Sequence, residues 1–141
     1  ENAILIHGGG WKKMENKKII NFLFKKKLLE KLKIKNVINY YGLVEQTGSI
    51  FIECEKCESF ISSIFSEVLI RDKNFNIQKP GERGLVQLFS ILPTSYPGHS
   101  IITEDIGEIL PKNKIKCNLD TTHFLIHGRS KHSEIRGCSD V

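Results

Sequence analysis

Long apolar runs are missing from this sequence. None approaches the roughly 18 residues that a bilayer-spanning helix needs, so no membrane span is expected. Cysteine is sparse: the four thiols are unevenly spaced and do not read as a disulfide framework, and a reducing cytoplasm is the default expectation. Cys54 and Cys57 form a Cys-x-x-Cys, by spacing one half of a zinc site, whose other half would have to come from Cys117 with His123 or His127. A second Cys-x-x-Cys is lacking, so two reduced cysteines at a turn are favoured over zinc. An initiating methionine is also lacking. The chain opens on Glu1, runs at once into apolar residues, and stops three residues after Cys138. It is therefore expected to be the C-terminal part of a larger domain, exposing apolar surface when isolated. On that reading the lack of a secretory leader has little force.

What is present is one domain's worth of chain, 141 residues, enough to bury a core. The net charge of +5 comes mostly from lysines between residues 12 and 35. Such a balance can signal nucleic acid or an anionic membrane surface. Here the lysines interleave with a helical apolar stripe and read as a solvated helix face, so no nucleic-acid partner is expected.

The pattern begins with a short strand at residues 3–6, followed by His7-Gly8-Gly9-Gly10. Consecutive glycines cost chain entropy and are favoured where backbone must turn or approach something closely. An ordinary strand-to-helix turn is the competing reading. Residues 14–34 are expected to be helical, with Ile19, Ile20, Leu23, Phe24, Leu28 and Leu32 near helical spacing, lysines opposite, and Asn36 as the stop. Residues 37–41 form the next strand. Strand, helix, strand over about 40 residues predicts a parallel βαβ unit, which sets the turn at Gly8–Gly10 and the turn at Tyr41–Glu45 at one end of the sheet.

Further strands are expected at residues 50–53, 65–71, 84–92, 100–105 and 123–127, with residues 107–110 continuing beyond a turn. The connections are too short for crossover helices, so this half should be mixed or antiparallel. The fold class is α/β: a parallel βαβ unit (1–49) followed by a mainly strand-built segment (50–141).

The most informative stretch is Tyr41-Gly42-Leu43-Val44-Glu45-Gln46-Thr47-Gly48-Ser49, where a strand breaks into a glycine, a carboxylate and small polar residues. Ligands of open α/β sheets bind just past the carboxyl ends of strands. An aromatic, a glycine and an acid placed there suit a flat base, a close phosphate and a magnesium ion.

Three stretches, in order, carry a resemblance. Tyr41-Gly42-Leu43-Val44-Glu45 resembles the Tyr-Gly-x-x-Glu motif of the adenylate-forming ligases. Thr103-Glu104-Asp105-Ile106-Gly107 resembles their Thr-x-Asp-x-Gly motif, and Gly128-Arg129-Ser130-Lys131 with Glu134-Ile135-Arg136-Gly137 resembles their hinge motif. Within that superfamily the chain is most similar to acyl-protein synthetases of the LuxE type. The similarity includes His7-Gly8-Gly9-Gly10-Trp11-Lys12-Lys13, Phe51-Ile52-Glu53-Cys54, Ser95-Tyr96-Pro97-Gly98-His99 and Ser133-Glu134-Ile135-Arg136-Gly137-Cys138-Ser139-Asp140.

The resemblance implies the C-terminal part of an adenylating domain that uses ATP and magnesium to activate a fatty or other carboxylic acid, and that supplies an acyl reductase. It implies that Gly8, Gly9 and Gly10 border the adenine and acyl pocket, that Tyr41 packs on adenine, and that Gly42 is among the nucleotide-binding residues. Glu45 would ligate magnesium, Asp105 would accept the ribose hydroxyls, and Arg129 would reach ribose or phosphate. Lys131 stands at the hinge position. Cys138, beside Arg136, is the candidate acyl acceptor, since a nearby cation favours the thiolate. Val44 departs from the usual threonine, removing a hydroxyl beside the substrate. The piece alone is expected to be inactive. A coenzyme A ligase of the phenylacetate type and a non-catalytic nucleotide-binding remnant are the alternatives.

Overall fold

The first apolar stretch forms β1 (Ile4–Gly8), and the lysine-rich segment forms α1 (Asn21–Leu32), which leads into β2 (Asn36–Tyr41). The structure is a computed structural model and describes residues 3–8 and 19–130. β1 and β2 pair in parallel, with Ile4 opposite Asn36 and Gly8 opposite Tyr40, as the βαβ reading requires. The carboxyl ends of both strands therefore lie side by side. A Cβ on Gly8 would lie 2.6 Å from the Tyr40 ring, so glycine lets the β1 backbone rest on that ring without moving it.

The helix is shorter than its apolar periodicity predicts. Ile20 is the N-cap and contributes no side-chain bond, while Lys33 closes the helix in the left-handed conformation, its N–H donating to the Leu29 carbonyl. The stop thus falls before Asn36, which begins β2 instead. Part of the expected span, residues 14–18, lies outside the described residues. The half-buried face keeps Phe24 and Leu28 of the expected stripe but leaves Ile20, Leu23 and Leu32 exposed: it is Asn21, Phe24, Lys25 and Leu28, at the i, i+3, i+4, i+7 spacing of a single helix face. Lys25 therefore points inward rather than lying opposite the stripe, because a buried carboxylate awaits it on the sheet.

After β2 come β3 (Phe51–Cys54), β4 (Ser59–Ile61), β5 (Ser66–Arg71), β6 (Arg83–Ser90), β7 (Ser100–Ile109) and β8 (His123–Arg129). All of them pair antiparallel, and the eight strands form one mixed sheet in the order β1-β2-β3-β4-β8-β7-β6-β5. β7 runs straight through the turn expected near residue 106. β4 is unannounced in the sequence: at 3 residues it is too short to show an alternation.

Phe51, Val68, Ile70, Val86, Leu88 and Phe124 form the core, with Tyr41, Leu43, Phe60, Ile109 and Ile126 packed on it. Each such side chain removed from water contributes about 1.5–3 kcal/mol. By contrast no residue of α1 is buried, and Ile4, Ile6, Ile20 and Phe22 are exposed. Among the described residues the core lies in the antiparallel half, with the βαβ unit at its margin.

Gly107 is required by a close approach. β7 and β8 shift register between Ile106 and Gly107: Ile106 faces Gly128, but Gly107 faces Ile126, leaving His127 as the extra residue of a bulge. A Cβ on Gly107 would sit 2.6 Å from the Leu125 carbonyl oxygen. Below the bulge, Asp105 faces Arg129 directly.

Candidate functional site

Three residues far apart in sequence, from β2, β7 and β8, meet. Tyr41 ends β2, and its hydroxyl donates to Asp105 Oδ2 at 2.6 Å. Asp105 Oδ1 lies 3.8 Å from Arg129 Nε on the neighbouring strand. Arg129 also donates to Glu104, so its guanidinium spans both acids of the Glu104-Asp105 pair. The Asp105 N–H donates to Thr103 Oγ1, whose own hydroxyl donates to the Val86 carbonyl. The threonine of the Thr-x-Asp pattern thus fixes the aspartate's backbone. The Asp105 side chain is 17% exposed, leaving a carboxylate edge open to a ligand.

Tyr41 is enclosed by aromatic rings. Phe51, Phe60 and Phe124 lie with centroids 6.1, 5.9 and 6.0 Å from it. Burial, first, and then the negative charge and hydrogen bond of Asp105 push its phenol far above the ordinary tyrosine range. It stays protonated and is a pure donor to the carboxylate.

The loop after β2 carries the remaining residues of the motif. Val44–Gln46 form a single 3-10 turn, with Glu45 exposed and Gln46 wholly buried. Gln46 Nε2 donates to the Gly98 carbonyl at 2.9 Å, which ties the Tyr41–Ser49 loop to the Ser95-Tyr96-Pro97-Gly98 loop. Gln46 was not singled out in the sequence, and only its place beside the motif acid hints at it.

Glu53 is a second residue that sequence reading passed over. Its side chain is 4% exposed and receives Lys25 Nζ at 2.7 Å, the Asn39 N–H at 3.3 Å and the Asn21 amide. A signal existed: on β3, Glu53 shares the inward face with Phe51, and a carboxylate at such a position needs a cation. Next to this network His7 stacks edge-on against Phe24. Burial, chiefly, lowers the His7 imidazole below the ordinary histidine range, with the Glu53 charge opposing and the Lys25 charge assisting.

At the far end of β8, Cys54, Cys57, Cys117 and His123 come within 4.8 Å of one another. Burial, first, pushes the Cys54 thiol up. At Cys57 burial is outweighed by the Lys116 N–H and the neighbouring thiols, which bring it down. His123 is lowered by burial, against a bond to the Leu119 carbonyl.

The fold therefore joins Tyr41, Asp105 and Arg129, and sets Gly8 beside Tyr40, the residue before Tyr41. Gly42 and Glu45 lie on the loop that follows. Gly9, Gly10, Lys131 and Cys138 lie outside the described residues.

The family model described as acyl-protein synthetase, LuxE, matches residues 1–141. No curated protein sequence matches the chain significantly. Among solved structures, apo MatB from Rhodopseudomonas palustris is similar at a TM-score of 0.59 and 14% identity, over 91% of this chain and 26% of that one. The anthranilate CoA ligase AuaEII, solved with anthranoyl-AMP, is similar at 0.61 and 13% identity, over 88% and 24%. The luciferase-like enzyme of the nonluminescent Zophobas morio mealworm is similar at 0.56 and 19% identity, over 93% and 32%. At these identities the likeness shows the fold. The chain spans about a quarter to a third of the length of these proteins.

Proposed function

The chain belongs to the LuxE family of acyl-protein synthetases, and from that premise we propose that the intact protein joins a fatty or other carboxylic acid to the α-phosphate of ATP, releases pyrophosphate, and passes the acyl group to its own Cys138 for delivery to an acyl reductase. The observation that carries the reading is the meeting of Tyr41, Asp105 and Arg129 from β2, β7 and β8. A carboxylate with one oxygen held by a buried phenol and the other beside a guanidinium is a rigid acceptor. That suits a pair of ribose hydroxyls, each of which donates one hydrogen bond.

Such a reaction asks for placement and charge neutralisation rather than proton transfer, because the attacking carboxylate is already an anion. In this scheme Asp105 holds the ribose and Arg129 neutralises developing phosphate charge. Tyr41 positions Asp105, and its packing on adenine rests on the family resemblance. Glu45 is exposed on the loop beyond β2 and offers the hard oxygen that magnesium prefers; when bound, the ion would neutralise phosphate oxygens. Gly8 to Gly10 and Gly42 let backbone approach the nucleotide, and Lys131 occupies the hinge position.

ATP–pyrophosphate exchange with a panel of carboxylic acids, run on the intact chain, tests the first half. Exchange with a long-chain acid is expected, and it should collapse in Asp105→Ala. Absence of exchange with every acid overturns the proposal. Radiolabelled fatty acid with ATP tests the second half: covalent label should appear on the wild type and vanish in Cys138→Ser. Label that forms only on added coenzyme A instead assigns the chain to the CoA-ligase reading.

A further inference from the structure

We propose that Cys54, Cys57, Cys117 and His123 bind one structural zinc ion. The site lies at the opposite end of β8 from Arg129 and shares no residue with the proposed adenylation site. Four donors converge: Cys54 from the last residue of β3, Cys57 from the turn joining β3 to β4, Cys117 from the connection between β7 and β8, and His123 from the first residue of β8. Their ligand atoms all lie within 4.8 Å of one another. Tetrahedral zinc with three sulfurs and one nitrogen needs donor separations of about 3.5–3.8 Å. Cys117 Sγ and His123 Nε2 are already 3.5 Å apart.

The surroundings match a metal site in two further ways. Ser59 Oγ lies 2.9 Å from His123 Nδ1. Nδ1 is thus turned to that hydroxyl and Nε2 to Cys117, so on metal binding Nδ1 would carry the proton and Nε2 would be the ligand, the usual arrangement for a ligating histidine. The Lys116 N–H points at Cys57 Sγ at 3.3 Å, as backbone amides do toward metal-bound thiolates. All three thiols are free, so no disulfide competes for them. Three soft sulfurs and one imidazole, with no open position, select zinc in a structural rather than a catalytic role. Binding forms three Zn–S bonds and one Zn–N bond and releases three thiol protons to solvent, with no change of oxidation state. The resulting site carries one negative charge, and Lys56 and Lys116 sit within the ligand-bearing loops to offset it.

The ion has a clear task. β4 is 3 residues long and pairs with β8 only through Phe60–Phe124 and Ile61–His123. Phe60 and Phe124 are the rings that wall in Tyr41. A metal clip across β3, β4 and β8 would lock that short pairing and, through Phe60 and Phe124, the wall around Tyr41.

The test is metal analysis of the intact chain purified without chelator, followed by cobalt substitution. One zinc per chain is expected, as is the intense red-region absorption of tetrahedral thiolate-bound cobalt. Cys57→Ser and Cys117→Ser, both partly exposed, should lose the metal, and Ser59→Ala should weaken its binding by about tenfold or more. If the cysteine variants fail to fold, the cobalt spectrum of the wild type still decides. Protein that stays metal-free in zinc-supplemented medium, gives no tetrahedral cobalt spectrum, or is isolated with a Cys54–Cys57 disulfide overturns the proposal.

Discussion

The Tyr41 hydroxyl donates to Asp105 Oδ2 at 2.6 Å, a contact between residues 64 positions apart. The donor is enclosed and the acceptor is charged. Hydrogen bonds of that kind are worth about 1.5–3 kcal/mol, and the partial exposure of Asp105 lowers the expectation to the bottom of the range. Tyr41→Phe keeps the aromatic packing and removes only the donor. It should lower the urea midpoint by the equivalent of about 1–2 kcal/mol and weaken nucleotide binding in the intact chain. An unchanged midpoint would show that the contact does not hold the carboxylate.

The same contact sets the alkaline limit. A phenol pushed up on folding contributes stability that is complete below its unfolded value of about 10 and is lost as pH rises beyond it. The wild type should lose stability steeply above that pH, and Tyr41→Phe less steeply, as followed by urea titration at successive pH values. Parallel profiles would rule the effect out.

On the acid side His7 contributes, alongside His123, which burial also lowers. The lowered value of His7 means that the folded chain holds it neutral, so its contribution is complete above about pH 6.5 and is lost as pH falls through the folded value. Replacing it in His7→Gln should flatten the fall in stability between neutral and mildly acid pH. The check is a comparison of chemical denaturation at several pH values, and identical slopes would contradict the assignment.

The two helix lysines Lys25 and Lys26 should behave differently. Lys25 meets a carboxylate that is 4% exposed, whereas Lys26 pairs at 3.9 Å with Glu30, both more than half exposed. Stranding Glu53 by Lys25→Met should cost about 2–3 kcal/mol, partly recovered in Lys25→Met/Glu53→Gln. Lys26→Met should cost about 0.5 kcal/mol or less. Equal losses in the two single variants would refute the buried pairing.

Gly107→Ala is expected to cost about 2–3 kcal/mol, because the new methyl meets the Leu125 backbone oxygen rather than a yielding side chain. Since β7 and β8 must part where Asp105 faces Arg129, nucleotide affinity should fall as well. A stable variant with normal nucleotide binding would mean that the bulge does not set the site.

Local pattern accounts for much of this fold. The β1–α1–β2 unit follows from two apolar stretches flanking a helical stripe, and β5, β6 and β8 fall within two residues of their expected limits. What escaped has identifiable causes. Lys25 was assigned to the solvent face by its charge alone, because its partner Glu53 is 28 residues away. β4 is held by its neighbours rather than by any periodicity of its own. The helix ended early because a left-handed Lys33 was satisfied by the Leu29 carbonyl, a choice that no cap residue advertises.

By itself the amino-acid order determined much of the strand and helix pattern and the kinds of side chain available for nucleotide or metal chemistry, since these depend on steric and chemical properties of neighbours along the chain. Only the tertiary structure decided that Tyr41 would touch Asp105, that Asp105 would face Arg129, and that Cys54 and Cys57 would meet Cys117 and His123. Those meetings follow from strand order and from the one-residue register shift at Gly107. Register is set by pairing across the sheet, and a slip of one residue turns every side chain to the other face.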